Sequence, residues 1–214
     1  MAATPDVEKV LAHVALVGLE PTEDERKWEH MGGLLTDAAL QPRARYKAAV
    51  LPRVRRVIAE WPDAKTTSGF RVRLANEDLP AFLAWSSSSP KIQKIHDLAA
   101  VIHSLRVETV DELGDRFRDP ELEAETRSAL RRVGHVGPKT LDYIAILTGS
   151  NNHVAVDQHL AGFVAAAGVS TSTYDYVAEV VRDAARELKC SPGALDGAIW
   201  NYMSAAAKVV GRNG

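Results

Sequence analysis

Residues 133–159 read VGHVGPKTLDYIAILTGSNNHVAVDQH, and the fold is decided in this stretch. A tight hairpin, Gly134-His135-Val136-Gly137, leads into a helix that opens Pro138-Lys139-Thr140. Pro138 suits the first helical position, where its missing N–H costs nothing. Gly134 and Gly137 are expected to take backbone angles closed to other residues and to let an anion approach the main chain. Exposed N–H groups and the positive helix end then form an anion site. Eighteen positions after Lys139 (157 − 139) stands Asp157, at the end of the short apolar run Val154-Ala155-Val156. The plainer alternative for the hairpin is an ordinary turn between two helices.

Outward from this stretch the chain reads as nearly all helix. Thr4 or Asp6 caps a first helix carrying Val7, Val10, Leu11, Val14 and Leu16. Thr22, followed by acids at 23 to 25, predicts another start, because negative side chains meet the positive helix end there. That helix would carry Trp28, Met31, Leu34 and Leu35. A third helical stretch, 42–61, contains Pro52, which removes a backbone donor and predicts a break near Leu51. Residues 62–76 contain Gly69 and the alternation Phe70-Val72-Leu74 against Arg71 and Arg73. A lone strand would have no partner, so this segment reads as a loop with a bend. Helices are expected again at about 77–86, 90–105, 109–117, 120–133, 138–148, 156–167, 173–188 and 192–210. No internal repeat is visible, and the low-complexity patch is Ser86-Ser87-Ser88-Ser89. The expected fold class is all-α, in two helical lobes.

Composition bounds the function. The chain has 214 residues, 46% hydrophobic and 25% charged, as in ordinary globular domains. No apolar run approaches a membrane span, and the N-terminus MAATPDVEKV lacks the basic and apolar regions of a secretory signal. One cysteine, Cys190, excludes an internal disulfide and suits a reducing cytoplasm. The seven histidines are scattered and show no metal-ligand spacing. A net charge of −2 counts against nonspecific coating of nucleic acid. A local basic face is nevertheless available in Arg43, Arg45, Lys47, Arg53, Arg55 and Arg56, with a solvated helix face as the bland alternative.

The order glycine hairpin, Lys-Thr, apolar helix, Gly-containing loop, Val-Asp-x-His resembles the helix-hairpin-helix–GPD superfamily of DNA base-excision glycosylases, most closely its endonuclease III-like branch. The match is strong over roughly residues 126–165. The resemblance implies one glycosylase domain over 1–214, with the hairpin and catalytic core at about 126–165. It implies a DNA glycosylase with AP-lyase activity, acting on double-stranded DNA that carries a damaged, mismatched or modified base. Lys139 would attack C1′ of a flipped nucleotide, and Asp157 would assist. No metal or organic cofactor is implied, and a monomer in the cytoplasm, associated with the nucleoid, would suffice. The chain departs from the family in three ways. A single cysteine cannot ligate the iron–sulfur cluster that many relatives carry. The loop Gly149-Ser150-Asn151-Asn152-His153 lacks a proline, and no Leu-Ser-x-Gln segment is recognisable.

Each candidate residue has a plainer role beside the implied one. Lys139 lies in the first turn of its helix, where the positive helix end opposes protonation, so a free amine can act as nucleophile. Otherwise it contacts phosphate. Asp157 would stabilise an oxocarbenium-like sugar, or simply cap the helix that starts at Gln158. The hairpin residues Gly134, His135, Val136 and Gly137, with Thr140, would contact the DNA backbone. His159 is equally a structural histidine. Ser89 reads as a helix cap before Pro90, and with Lys91 or Lys94 would suit a phosphate. Gln93 is a weak candidate for a wedge. Trp85, Tyr143, Trp200 and Tyr202 could stack on an extruded base, or pack in the core. The rival functions are a monofunctional glycosylase that uses water, a relative that processes modified bases, and a non-catalytic hairpin protein that binds DNA.

Overall fold

The structure, a computed structural model, describes residues 4–23, 26–171 and 173–210, with side chains as far as Ala205. In chain order the helices are α1 (Pro5–Leu16), α2 (Met31–Leu40), α3 (Leu51–Glu60), α4 (Thr67–Asn76), α5 (Leu79–Leu83), α6 (Pro90–Ser104), α7 (Val110–Arg118), α8 (Pro120–Arg131), α9 (Pro138–Leu147), α10 (Gln158–Ala166), α11 (Tyr174–Glu187) and α12 (Pro192–Val210). A π-helical turn, Tyr46–Val50, precedes α3, and a 3-10 turn, Pro62–Lys65, follows it. The described residues contain no strand, as the all-α expectation requires. None of their helices is long and apolar enough to cross a membrane.

The chain divides into two compact units. One is residues 1–25 with 151–214, and the other is residues 26–150. The first holds α1 and α10–α12 around Val10, Leu160, Phe163, Val181, Leu195 and Ile199. The second holds α2–α9 around Leu34, Leu35, Phe70, Ile95, Leu98 and Ile144.

Local chemistry explains most boundaries. The Thr4 side chain caps α1, and Val7, Val10 and Val14 form its buried stripe. Leu16, the last residue of the helix, falls off that stripe and is 81% exposed. Ser89 caps α6, and Asp119 caps α8. Thr109 and Glu112 form a reciprocal capping box on α7. Pro52 stands in the first turn of α3, where the π-helical turn gives way to α-helix, so the expected break falls there.

The structure corrects three expectations. Residues Thr22 and Glu23 do not open a helix; residues 24 and 25 lie outside the described residues. The Glu23 carboxylate instead accepts from Ser191 N and Ser191 Oγ, at 2.7 and 2.6 Å, one residue before α12. α2 begins at Met31, and its cap is His30, whose Nδ1 accepts from Gly33 N at 3.1 Å. Trp28 therefore precedes the helix it was expected to sit on. The expected helix over 77–86 shortens to α5, which ends where Ala84 turns left-handed at φ 46°.

The third correction is α4, where a loop was expected. Phe70 and Leu74 are buried at helical spacing, while Val72 between them is 58% exposed. Gly69 is required by closeness and not by a bend. A Cβ there would lie 1.9 Å from the Asp63 carbonyl oxygen in the 3-10 turn. Gly69→Ala is expected to destabilise the chain by about 3 kcal/mol, the upper end of overpacking costs. Urea denaturation measures this, and an unchanged midpoint would contradict the packing described.

Candidate functional site

α8 and α9 are joined by residues 132–137. Val133 and Val136 are buried and anchor this turn, and Val136 N donates to Val133 O at 3.2 Å. Gly134 and His135 are exposed at its tip. The left-handed residue is His135, at φ 62°, and neither glycine has a positive φ. Gly137 is extended, at φ −107° and ψ −179°. A Cβ on Gly134 would meet nothing within 4 Å, and one on Gly137 would make an ordinary contact with Arg131 at 3.5 Å. The glycines are therefore not needed for their backbone angles, contrary to expectation. What they contribute is bare main chain at an exposed corner.

Two cations hold the turn, Lys94 from its buried side and Arg131 from its exposed flank. Lys94 Nζ donates to His135 O at 3.1 Å, and Arg131 Nη1 donates to Val136 O at 2.9 Å. The main-chain N–H groups of Gly134, His135 and Gly137 have no main-chain or side-chain acceptor among the described residues.

α6 brings the other basic residues toward main chain as well. Ser89 Oγ caps the helix, accepting from Lys91 N at 3.4 Å. Lys91 Nζ donates to Leu40 O and Pro42 O, at 2.7 and 2.6 Å, and lies 5.2 Å from the Trp85 ring centre. Arg53 lies 5.0 Å from the same ring. Lys94, expected at a surface phosphate, is only 4% exposed. Burial and the neighbouring Lys91 push its ammonium down to a pKa of about 8. Gln93, the candidate wedge, is exposed and donates to Asp97 at 2.8 Å.

The basic run divides in two. Arg53 donates to the carbonyls of Ala49, Leu83 and Ala84, and Arg56 donates to that of Phe82. Both are spent on helix ends, chiefly the end of α5. Arg43, Arg45, Lys47 and Arg55 are exposed, as is Arg56 despite its carbonyl contact.

Lys139 lies in the first turn of α9, half-buried, and its Nζ donates to Gln41 Oε1 at 3.2 Å. One turn further on, Tyr143 OH donates to Asp37 Oδ1 at 3.0 Å. Asp37 Oδ2 accepts from Trp28 Nε1 and Tyr46 OH, each at 2.9 Å. Asp37 has no exposed surface, and burial raises its carboxyl pKa against these three donors. Burial beside that carboxylate raises both tyrosine hydroxyls. Two links spaced one turn apart thus set α9 against α2. On the other side of α9, Arg127 of α8 pairs with Asp142. Thr140 is buried, so its side chain faces the interior. Sequence reading missed Asp37, Gln41 and Tyr46. The signal available was an aspartate and a glutamine four apart at the end of an otherwise apolar helix.

Asp157 belongs to the other unit. Its Oδ1 accepts from His159 N and Leu160 N, at 2.8 and 3.2 Å, and so caps α10. The segment before it is buried and held at two points. Tyr174 OH donates to Val154 O at 3.2 Å, and Ala155 N donates to Asp196 Oδ2 at 3.1 Å. The His159 ring meets Trp200 edge-on, with centres 6.2 Å apart, as a packing residue would. Tyr202 meets Phe163 in the same manner.

Lys94 generates a test of these energetics. Its folded pKa lies below the unfolded value, so at neutral pH the buried charge opposes folding. Between about pH 8 and 10.4 the unfolded chain binds more protons, and stability rises with pH there. Lys94→Met is expected to raise the thermal midpoint at pH 7 and to remove that rise. A variant less stable than the natural chain across this range would contradict the assignment.

Comparison with known proteins gives one match. Residues 86–204, more than half of the chain, match the family described as a domain of unknown function (DUF8548). No curated protein and no solved structure matches the chain. The matched span begins in the serine loop before α6 and takes in Lys94, the 132–137 turn, Lys139 and Asp157. The chain belongs to this family of domains of unknown function.

Proposed function

We propose that the protein is a DNA glycosylase with AP-lyase activity. One arrangement carries this reading. A turn whose main-chain N–H groups at Gly134, His135 and Gly137 have no acceptor among the described residues runs directly into a helix whose first turn bears an amine, Lys139. N–H groups at such a corner suit a backbone phosphate, which makes α8, the turn and α9 a helix-hairpin-helix grip on DNA. The phosphate sets register, and the amine that follows the grip is then close to the sugar of a neighbouring nucleotide.

The substrate is double-stranded DNA with a damaged, mismatched or modified base, extruded from the stack at a cost of a few kcal/mol. The Lys139 amine attacks C1′; the C1′–N bond to the base breaks, and the base leaves with a proton. The lone pair on the now neutral nitrogen then breaks the C1′–O4′ bond, O4′ takes up a proton from water, and the opened sugar is left as a protonated Schiff base. Removal of a C2′ proton then expels the 3′ phosphate and cuts the strand. The amide oxygen of Gln41 accepts from the Lys139 nitrogen and holds it in place. Asp157 is the carboxylate that the resemblance assigns to assist the reaction, and its Oδ1 caps α10. The chemistry calls for no metal or cofactor. One footprint on DNA needs no second copy, so the enzyme works as a monomer on the cytoplasmic nucleoid.

Two predictions test this. Labelled duplexes, each with one altered base or an abasic site, are to be nicked without alkali by the natural chain and not by Lys139→Ala. Asp157→Asn is expected to slow nicking by about 10²–10⁴-fold. Nicking that appears only after alkali would make the enzyme monofunctional. Gly134→Ala, whose methyl meets open space, is expected to keep the thermal midpoint and to weaken duplex binding about tenfold, the cost of one charge-assisted hydrogen bond. Unchanged affinity would remove the phosphate from the turn.

A further inference from the structure

Lys94 has no part in the chemistry just described, and its position is costly. It lies on α6 beneath the 132–137 turn, nearly fully buried. The only hydrogen bond of its ammonium among the described residues is to the His135 carbonyl. No carboxylate faces it, and Lys91 one turn away repels it. An apolar side chain of similar length would fill the same space without the desolvation cost.

The turn itself shows what such a charge can do. In a trans peptide the C=O and N–H point in opposite directions. The Val136 carbonyl is turned to the exposed Arg131, so the Gly137 N–H is turned away from that guanidinium. The His135 carbonyl is turned inward to Lys94, and its peptide N–H, that of Val136, closes the turn on Val133. Lys94 thus lies beneath the turn and Arg131 at its exposed flank, and the N–H groups of Gly134, His135 and Gly137 have no acceptor among the described residues.

We propose that Lys94 is the buried electrostatic half of a phosphate site at this turn. It fixes the His135 peptide and places a full positive charge behind N–H groups that carry only partial ones. A phosphate diester of the DNA backbone is the ligand, and for that identity the inference rests on the function proposed above. Lys94 is a positioning residue, since it does not reach the surface.

Two variants separate charge from shape. Lys94→Gln removes the charge and keeps a donor for the His135 carbonyl; Lys94→Met removes both. Binding of a fluorescent duplex with a single abasic analogue is followed by anisotropy, and thermal midpoints establish that each variant folds. Both variants are expected to bind about tenfold more weakly at low salt, with the difference shrinking as salt rises. Glutamine binding like the natural chain, or a loss independent of salt, would overturn the charge role. Should the natural chain bind no duplex, titration with inorganic phosphate decides, read on the Gly134, His135 and Gly137 amide resonances. Saturable shifts that vanish in Lys94→Met support the site, and their absence overturns it. Binding that depends on Lys94 without strand nicking would overturn the lyase reading alone. Nicking with binding indifferent to Lys94 would overturn this inference alone.

Discussion

A carboxylate with no exposed surface must be satisfied from within the fold, and in the unit formed by residues 26–150 that carboxylate is Asp37. Its three donors come from three different segments: Trp28 ahead of α2, Tyr46 in the π-helical turn and Tyr143 on α9. Losing one donor leaves a buried acceptor short of a partner, at about 1–3 kcal/mol. Each segment is therefore tied to the same point. Because Tyr143 follows Lys139 by one turn, the same constraint determines where the Lys139 amine meets Gln41. α2 tolerates this because it is buried along its whole length, and Gly32 and Gly33 leave room for Phe70 and Ile58 to pack against it.

A second regularity concerns the cations. Arg53, Arg56, Lys91, Lys94 and Arg131 all donate to main-chain carbonyls, at helix ends or in turns. Positive groups at helix C-termini are favoured by the partial negative charge there. The consequence is that the basic run of residues 43–56 gives less surface charge than its composition promises. With a net charge of −2, the chain has little general attraction for DNA. Affinity in the proposed function would have to come from a few directed contacts, and the main-chain N–H groups of the 132–137 turn are of that kind.

Much of the fold was legible in the sequence because helix ends are written in single residues. Thr4, Ser89, Pro90, Pro138 and Asp157 do in the structure what their chemistry predicts, and Pro52 marks the change of helix type. The failures have physical causes. α4 was hidden because Gly69 looks like a breaker, whereas it is a close approach to Asp63. The start of α2 was misplaced because acids after Thr22 resemble a helix N-terminus, while Glu23 is engaged 168 residues away at Ser191. Of the candidate site, Lys139, Asp157 and the turn were legible from local pattern. Asp37, Gln41 and the burial of Lys94 were not, since each depends on a partner far along the chain.

The central claim is that Lys139 is a nucleophile and not only a neighbour of DNA. The direct measurement is borohydride reduction of the protein with abasic duplex, followed by proteolysis and mass analysis of the cross-linked peptide. The account predicts one reduced adduct, carried by the Lys139 peptide and absent in Lys139→Ala. An adduct on another amine, or no adduct under conditions where the duplex is bound, would contradict it.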